Sequence, residues 1–274
     1  MTTQPTKTEP NRNPRRDKTR LSSVTTAVHL LKTFSEEDQE LGISELAKRL
    51  NVAKSTVHRL ASALLDEGLL QQNIENGRYR LGVGLFTLGS LVRSRFDVAN
   101  SSKRLLTELR DKTQENVRLA VLEGRVAVYL HDFESPQTLR LKSGTGAQKP
   151  AFCVAEGLCL LAGMSNEALD KFLDEPREAL TPKTVLDAEA LRERIRKVKR
   201  QGYAIEDEEC ENGTRCLAAP IFQNDGRVLA AVGVAGPRLR MKKSQFSALA
   251  PVVLEAAEAI SSSLGFAGRP RIYV

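Results

Sequence analysis

A short segment at residues 51–60, NVAKSTVHRL, concentrates side chains that can bind a polyanion. Lys54, Ser55, Thr56, His58 and Arg59 fall within two turns of a predicted helix. Arginine can pair with guanine through two hydrogen bonds, hydroxyl groups allow close approach to phosphates, and the amino end of a helix favours anions. Between positions 51 and 65 the sequence has no carboxylate, whereas a solvated helix face more often includes some. The segment therefore predicts a helix that reads a groove of DNA, in preference to an ordinary solvated face.

Three predicted helices position this segment. The first starts near residue 22, and its apolar stripe is Val24, Val28, Leu31 and Phe34. The second is ISELAKRL, and the third starts near Lys54 and is stopped by Gly68. The apolar residues of this pair have the spacing of two helices joined by a tight turn: Leu46, Ala47, Leu50, Val52, Val57 and Leu60.

A hairpin follows the third helix. The segment LLQQNIENGRYRLG predicts two short strands around Asn76-Gly77, with Arg78 and Arg80 beside the tip. Three helices and a hairpin form a winged helix, whose wing can lie along the minor groove or the DNA backbone. The predicted DNA-binding residues are Ser44, Lys54, Ser55, Thr56, His58, Arg59, Ser62, Asn76, Arg78 and Arg80.

Length and charge agree with this prediction. The 274 residues suggest about two domains, and a net charge of +7 with a pI near 9.3 favours a polyanionic partner. The first 20 residues are rich in basic residues and proline, which predicts a disordered basic arm; a purely solubilising tail is the alternative. No apolar run approaches the roughly 18 residues of a membrane helix, and the amino terminus lacks a secretory signal. We therefore expect a cytoplasmic protein without a membrane partner.

The rest of the chain predicts a mixed α+β fold. Helical patterns cover residues 84–118, 151–164, 187–201 and 244–264, and the predicted strands are RVAVYL, TLRL, CLAAPIF and RVLAAVGVA. The expected domains are a winged helix-turn-helix at 21–83, a linker helix at 84–103, a second domain at 104–265 and a tail at 266–274.

Several segments, in this order, resemble the IclR (isocitrate lyase regulator) family of transcriptional regulators. They are the winged-helix run from LGISELAKRL to RYRLG, VRLAVLEGRVAVYL, SPQTLRLKSGTGAQKPAFCVAEGLCLLA, GYAIEDEECENGTRCLAAPIF and AAVGVAGP. The resemblance spans about residues 21–265. It implies a repressor or activator that is a dimer or a dimer of dimers, with a GAF-like domain that binds a small molecule. A two-fold dimer implies a (pseudo)palindromic double-stranded DNA operator.

The resemblance also implies where the small molecule binds. Its pocket would be lined by Phe152, Ala155, Glu156, Glu206, Thr214, Cys216, Gly233 and Ala235. The family often has His at Phe152, a small residue at Glu156, and Ser at Gly233 and Ala235, where hydroxyls can hold a small carboxylate. In this sequence Phe152 adds an aromatic ring to one side of the pocket, and the missing hydroxyls at Gly233 and Ala235 leave space on the other side. We therefore expect a larger or less acidic effector, aromatic or amino-acid-derived.

Four cysteines and three histidines leave other functions open. Cys153, Cys159, Cys210 and Cys216 lack the tight spacing of a zinc knuckle, so packing or pocket lining is the main prediction. The alternative is a regulator whose second domain senses metal or redox state through these thiols. No nucleophile stands near a histidine in the sequence and no phosphate-binding glycine loop occurs, so we predict no catalytic residues, no metal ligands and no cofactor.

Overall fold

The computed structural model describes residues 23–35, 37–94, 97–141 and 144–268. The chain folds into two compact units that divide after Val92, within the predicted linker at 84–103. The predicted basic arm at 1–20 and residues 269–274 of the predicted tail lie outside the described residues. In the described ranges, no helix has the length and apolar character needed to cross a membrane.

The amino-terminal unit has three helices, a hairpin and a further helix. Their bounds are α1 Ser23–Leu31, α2 Ile43–Leu50, α3 Lys54–Asp66, β1 Leu70–Gln72, β2 Tyr79–Leu81 and α4 Val83–Ser94. Asn51 closes α2 in the left-handed conformation (φ 52°), and its N–H bonds to the carbonyls of Ala47 and Lys48. Gly68, with φ 67°, follows α3 as the sequence predicts, because glycine adopts this conformation without steric cost. The helix-turn-helix is therefore formed as predicted.

The apolar stripe predicted for the first helix is only partly correct, because Leu31 and Phe34 pack against the core and the two valines do not. Val24 is 73% exposed and Val28 is 43% exposed, whereas Thr26 and Leu30 are buried. Leu30 belongs to the same core as Leu46 and Val57, so the helix turns this side toward α2 and α3. The two valines are left on the outer surface. Apolar periodicity alone could not distinguish which of two adjacent faces packs inside.

The carboxy-terminal unit is built on one sheet with helices on both faces. Its elements are α5 Asp97–Ser101, α6 Lys103–Thr113, β3 Asn116–Glu123, β4 Val126–Phe133, β5 Gln148–Pro150, α7 Ala155–Ala162, α8 Asn166–Asp174, α9 Ala188–Gln201, β6 Ala204–Asp207, β7 Thr214–Phe222, β8 Val228–Pro237 and α10 Phe246–Ser263. The strands are antiparallel in the order β5-β4-β3-β8-β7-β6. Short 3-10 turns precede α7 and α10.

Alternation along the strands divides the core in two. Leu119, Leu217 and Val232 pack with α6 and α10 on one face. Ala120, Tyr129 and other side chains pack with α7, α8 and α9 on the opposite face. Because successive side chains of a strand point to opposite faces, Arg118 lies on the α7 side, next to Leu119 on the α10 side.

Several predicted elements of this unit are corrected. Residues 116–118 belong to strand β3, not to a helix, and TLRL at 138–141 forms no strand. Strands β5 and β6 and helix α8 were not predicted. Buried polar residues explain two of these errors, since Arg118 and Glu206 interrupt the apolar alternation by which strands are recognised.

Candidate functional site

The exposed face of α3 carries most of the predicted DNA-binding residues. Lys54, Ser55, His58 and Arg59 are exposed, whereas Thr56 and Ser62 are partly buried. Val57, Leu60, Ala61 and Leu64 are buried on the opposite side and fix the rotation of the helix. Ser44 is exposed at the start of α2.

The amino end of α3 can bind an anion. Ala53 precedes the helix and has no side-chain group that could cap it. The first turn contains no acidic residue, so its N–H groups and the positive end of the helix dipole meet no carboxylate of their own helix. Lys54 adds a positive charge at the same end. This arrangement suits a DNA phosphate.

The two arginines of the hairpin, Arg78 and Arg80, have different hydrogen-bond partners. Arg78 donates from Nε and Nη2 to the carbonyl oxygen of Glu40, at 3.1 and 2.8 Å, and from Nη2 to Glu45 Oε2 at 3.1 Å. Arg80 is more exposed and donates to Gln71 Oε1 at 3.3 Å. The guanidinium of Arg78 therefore connects the hairpin to α2 and the segment before it, while that of Arg80 is closer to a surface contact.

Glu40 organises the wing, a role that the sequence did not indicate. Its carboxylate accepts hydrogen bonds from the side-chain amides of Asn73 and Asn76, and it lies 3.8 Å from Arg80 Nη1. These bonds hold the pKa of Glu40 below its usual value, with Asn76 as the largest cause and Asn73 next. Glu40 lies between the first two helices in the sequence, where no pattern indicated a function. Its position beside the hairpin is a tertiary feature.

In the carboxy-terminal unit, α7 crosses the sheet and brings three predicted pocket residues into contact. The thiol of Cys216 on β7 donates to Glu156 Oε1 at 3.4 Å. A Cβ atom on Gly233 of β8 would stand 2.4 Å from the same oxygen and 2.7 Å from Glu156 Cδ. The space expected at Gly233 is therefore filled by the carboxyl group of Glu156, which is a correction to the sequence-based picture.

The remaining predicted pocket residues surround this contact. Glu206 of β6 and Ala235 of β8 are the direct cross-strand neighbours of Cys216. Thr214 is buried at the start of β7, and Ala155 is fully buried at the start of α7. Phe152 is buried in the 3-10 turn before α7. All eight residues are buried, on the sheet or on the segment that crosses it.

Arg118 of β3 and Tyr129 and Asp132 of β4 lie at the same site, although no sequence pattern indicated them. Arg118 is paired across the strands with Gly233 on one side and Asp132 on the other. Its Nε lies 3.4 Å from Asp132 Oδ2, and its guanidinium stands 5.0 Å from the centre of the Tyr129 ring. Burial acts to lower the pKa of Arg118, but Tyr129, Glu156 and Asp132 raise it above its usual value. The guanidinium is therefore a permanent buried cation.

Burial favours the neutral forms of the acidic groups of the site. Burial raises the pKa of Glu156, although Arg118 and the Cys216 thiol favour its ionised form. Burial raises the pKa of Glu206 well above its usual value, even though Oε1 accepts from the backbone N–H groups of Glu209 and Cys210. Burial likewise raises the pKa of Tyr129. Desolvation thus dominates each of these groups.

The cysteines fall into two kinds. Cys159 donates to the Ala218 carbonyl oxygen at 3.3 Å, and Cys216 donates to Glu156, so both pack within the core. Cys153 donates to the Pro150 carbonyl oxygen at 3.3 Å, and its interaction with the Cys210 thiol raises the pKa of Cys153 and lowers that of Cys210. Within the part of the chain that the structure describes, His, Cys, Asp and Glu form no group of three that could hold a metal ion.

Comparison with known protein families assigns both units. Residues 23–73 match the IclR helix-turn-helix domain, and residues 91–262 match the C-terminal domain of bacterial IclR transcriptional regulators. The chain is 32% identical to the HTH-type transcriptional regulator XynR of Escherichia coli (strain K12) over 247 residues, which cover 90% of this chain and 98% of XynR.

Solved structures agree with these matches. The crystal structure of the Thermotoga maritima IclR superposes with a TM-score of 0.74 at 26% identity, covering 90% of this chain and 100% of that one. An IclR homologue from Microbacterium hydrocarbonoxydans, complexed with 4-hydroxybenzoate, superposes with a TM-score of 0.77 at 26% identity and covers 89% and 99%. The chain therefore belongs to the IclR family, as a ligand-responsive transcriptional regulator with an amino-terminal helix-turn-helix domain and a carboxy-terminal effector-binding domain.

Proposed function

We propose that the protein reads its operator with the amino-terminal half of α3. The observation that carries this proposal is a helix face with exposed Lys54, Ser55, His58 and Arg59 and no carboxylate between residues 51 and 65. Arg59 supplies base discrimination, because arginine binds guanine through two hydrogen bonds worth roughly 1–3 kcal/mol. Lys54 and the hydroxyl groups of Ser55, Thr56 and Ser62 bind phosphates and set the register.

The wing makes the second set of DNA contacts. Arg80 and Asn76 are exposed near the hairpin tip and can approach the DNA backbone or minor groove. Arg78 positions the wing, because its hydrogen bonds to Glu40 and Glu45 hold the hairpin against α2. Ser44 adds a hydroxyl contact at the start of α2.

The operator-binding form is a homodimer, which can pair into a dimer of dimers. Large apolar side chains are exposed on α1 and α4, including Val28 at 43%, Phe86 at 73% and Leu91 at 61%. Exposed apolar surface of this kind is buried when a second copy covers it. Two-fold symmetry then presents two copies of α3, so the operator is (pseudo)palindromic.

The effector binds between α7 and the sheet, against Phe152, Ala155, Glu156, Glu206, Thr214, Cys216, Gly233 and Ala235. The buried ring of Phe152 supports an aromatic or amino-acid-derived effector, and the carboxyl group of Glu156 opposes small carboxylates. Binding shifts the balance between two dimer arrangements by the ligand's differential affinity, which is typically 1–3 kcal/mol. The protein acts on transcription and has no enzymatic role.

Selection of bound sequences from random duplex DNA tests the DNA-reading proposal on the full chain. We expect enriched inverted repeats for the wild type, loss of preference at one base pair of each half-site for Arg59→Ala, and uniformly weaker binding with a flatter salt slope for Lys54→Ala. Arg196→Ala, an exposed arginine on α9, is the matched control. Unchanged base preference in Arg59→Ala would show that α3 reads the operator in another way.

A further inference from the structure

Two polar atoms at the effector site are buried and have no internal partner. Glu156 and Tyr129 are both 0% exposed, and among the described residues neither Glu156 Oε2 nor Tyr129 Oη has a hydrogen-bond partner. An unmet buried polar group is destabilising, so such atoms in a binding site point to a group that a ligand supplies.

The buried acidic side chains on this face outnumber the basic ones. Three carboxyl groups are buried, those of Asp132, Glu156 and Glu206, against one buried guanidinium, that of Arg118. Asp132 already faces Arg118 at 3.4 Å, and together they form a neutral pair. Arg118 also acts on Glu156, so among the described residues one buried cation serves three acids, and Glu156 and Glu206 have no further buried cation beside them. A carboxylate would add a fourth acid to this set, whereas a cation would balance it.

The position of the Glu156 carboxyl group also favours a cationic ligand. Its carboxyl group lies against the backbone of β8, where a Cβ atom on Gly233 would be 2.4 Å from Oε1. Cys216 donates to Oε1, which leaves Oε2 as the oxygen without a partner among the described residues. The titratable and charged groups that interact with Glu156 are Arg118 on β3, Tyr129 and Asp132 on β4, Glu206 on β6, Cys216 on β7, Cys159 on α7 itself, and Cys210.

We propose that the effector carries a protonated amine, which binds Glu156 Oε2 and is contacted by the hydroxyl oxygen of Tyr129. This inference rests on the proposed effector site and names the chemical group that the site recognises. The ammonium pairs with the ionised form of Glu156, whereas burial favours the neutral form in the free protein, so binding is coupled to proton release. An amine-bearing aromatic or amino-acid-derived molecule satisfies both the two unpartnered atoms and the charge balance.

Isothermal titration of the full chain with matched probes tests this assignment. The probes are benzylamine, benzyl alcohol and phenylacetate, with butylamine, butanol and butyrate as a smaller set. We expect the amine of each set to bind more tightly than the alcohol or the acid. Its affinity should rise with pH, by up to about tenfold per unit while Glu156 is protonated in the free protein, and a buffer comparison should detect proton release.

Two variants locate the effect. Glu156→Gln keeps the shape but removes the charge, so amine affinity should fall by about tenfold to a hundredfold and its pH dependence should disappear. Glu167→Gln, on the exposed face of α8, is the matched control and should bind like the wild type. Thermal unfolding of both variants verifies that each remains folded.

The possible outcomes test the amine and the proposed effector site separately. Tighter binding of an acid or an alcohol than of the amine, still sensitive to Glu156→Gln, would overturn the amine and retain the effector site. Amine binding that is unaffected by Glu156→Gln would overturn the assignment to Glu156. A lack of binding by all six probes would count against both the amine and the site.

Discussion

Gly233 is the position where one added methyl group should have the clearest effect. In Gly233→Ala the new Cβ would stand 2.4, 2.7 and 2.9 Å from Oε1, Cδ and Cγ of Glu156, well inside the usual carbon contact distance of about 3.5–4.0 Å. Glu156 cannot simply turn away, because every residue of α7 is buried. Either the carboxyl group or the helix must shift to accommodate the methyl group.

The expected cost follows from overpacking in a rigid core. Such insertions typically lower the free energy of unfolding by about 1–3 kcal/mol. For a unit of this size that corresponds to a fall in Tm of about 2–12 °C. Calorimetry and urea unfolding of the full chain, followed by circular dichroism, would measure both quantities for the carboxy-terminal unit.

A double-variant cycle isolates the contact itself. Glu156→Ala removes the atoms that clash, so Gly233→Ala should cost little in that background, and the two changes together should be less destabilising than their sum by at least about 1 kcal/mol. Additive effects, or a Gly233→Ala variant as stable as the wild type, would refute the conclusion that Glu156 fills the space beside β8.

Three further predictions follow from the same geometry. Because burial raises the pKa of Glu156 above its ordinary 4.5, the folded protein retains a proton that the unfolded chain releases. The contribution of this proton to the free energy of unfolding is fully present below about pH 4.5 and is lost as the pH rises toward the pKa of the folded state. Urea titrations should therefore show Glu156→Gln gaining stability relative to the wild type as pH increases, and a constant difference would contradict this. Mild peroxide should join Cys153 and Cys210 in a disulfide, with two thiols and one peroxide giving two waters; mass spectrometry should detect it, and its absence in Cys210→Ser is the control. Arg78→Ala should lower the free energy of unfolding by less than about 1 kcal/mol, because its ion pair with Glu45 is exposed, yet weaken operator binding in an anisotropy titration by loosening the wing; unchanged affinity would show that the wing needs no such support.

The sequence determined the amino-terminal unit almost completely. Its helices are short, their caps are local, and the turn at Asn51 and the stop at Gly68 depend on the backbone preferences of single residues. The amphipathic pattern of α3 fixes which side is exposed, so the exposure of Lys54 and Arg59 followed from spacing alone. The buried face of α1 could not be predicted from spacing, because Val24 and Val28 are apolar but lie outside the core of this unit.

Only the tertiary structure decided the chemistry of the effector site. Arg118 and Tyr129 share the β3–β4 hairpin, but Glu156 and Gly233 are distant from it in sequence, and β3 pairs with β8 after more than a hundred intervening residues, so no local pattern brings these groups together. The polar residues that form the site also break the alternation that identifies a strand, which is why β3 and β6 were missed. The sequence showed that Gly233 lacks a side chain, but only packing determines that the carboxyl group of Glu156 occupies that space. Long-range contacts set burial, and burial sets the charge state on which ligand choice depends.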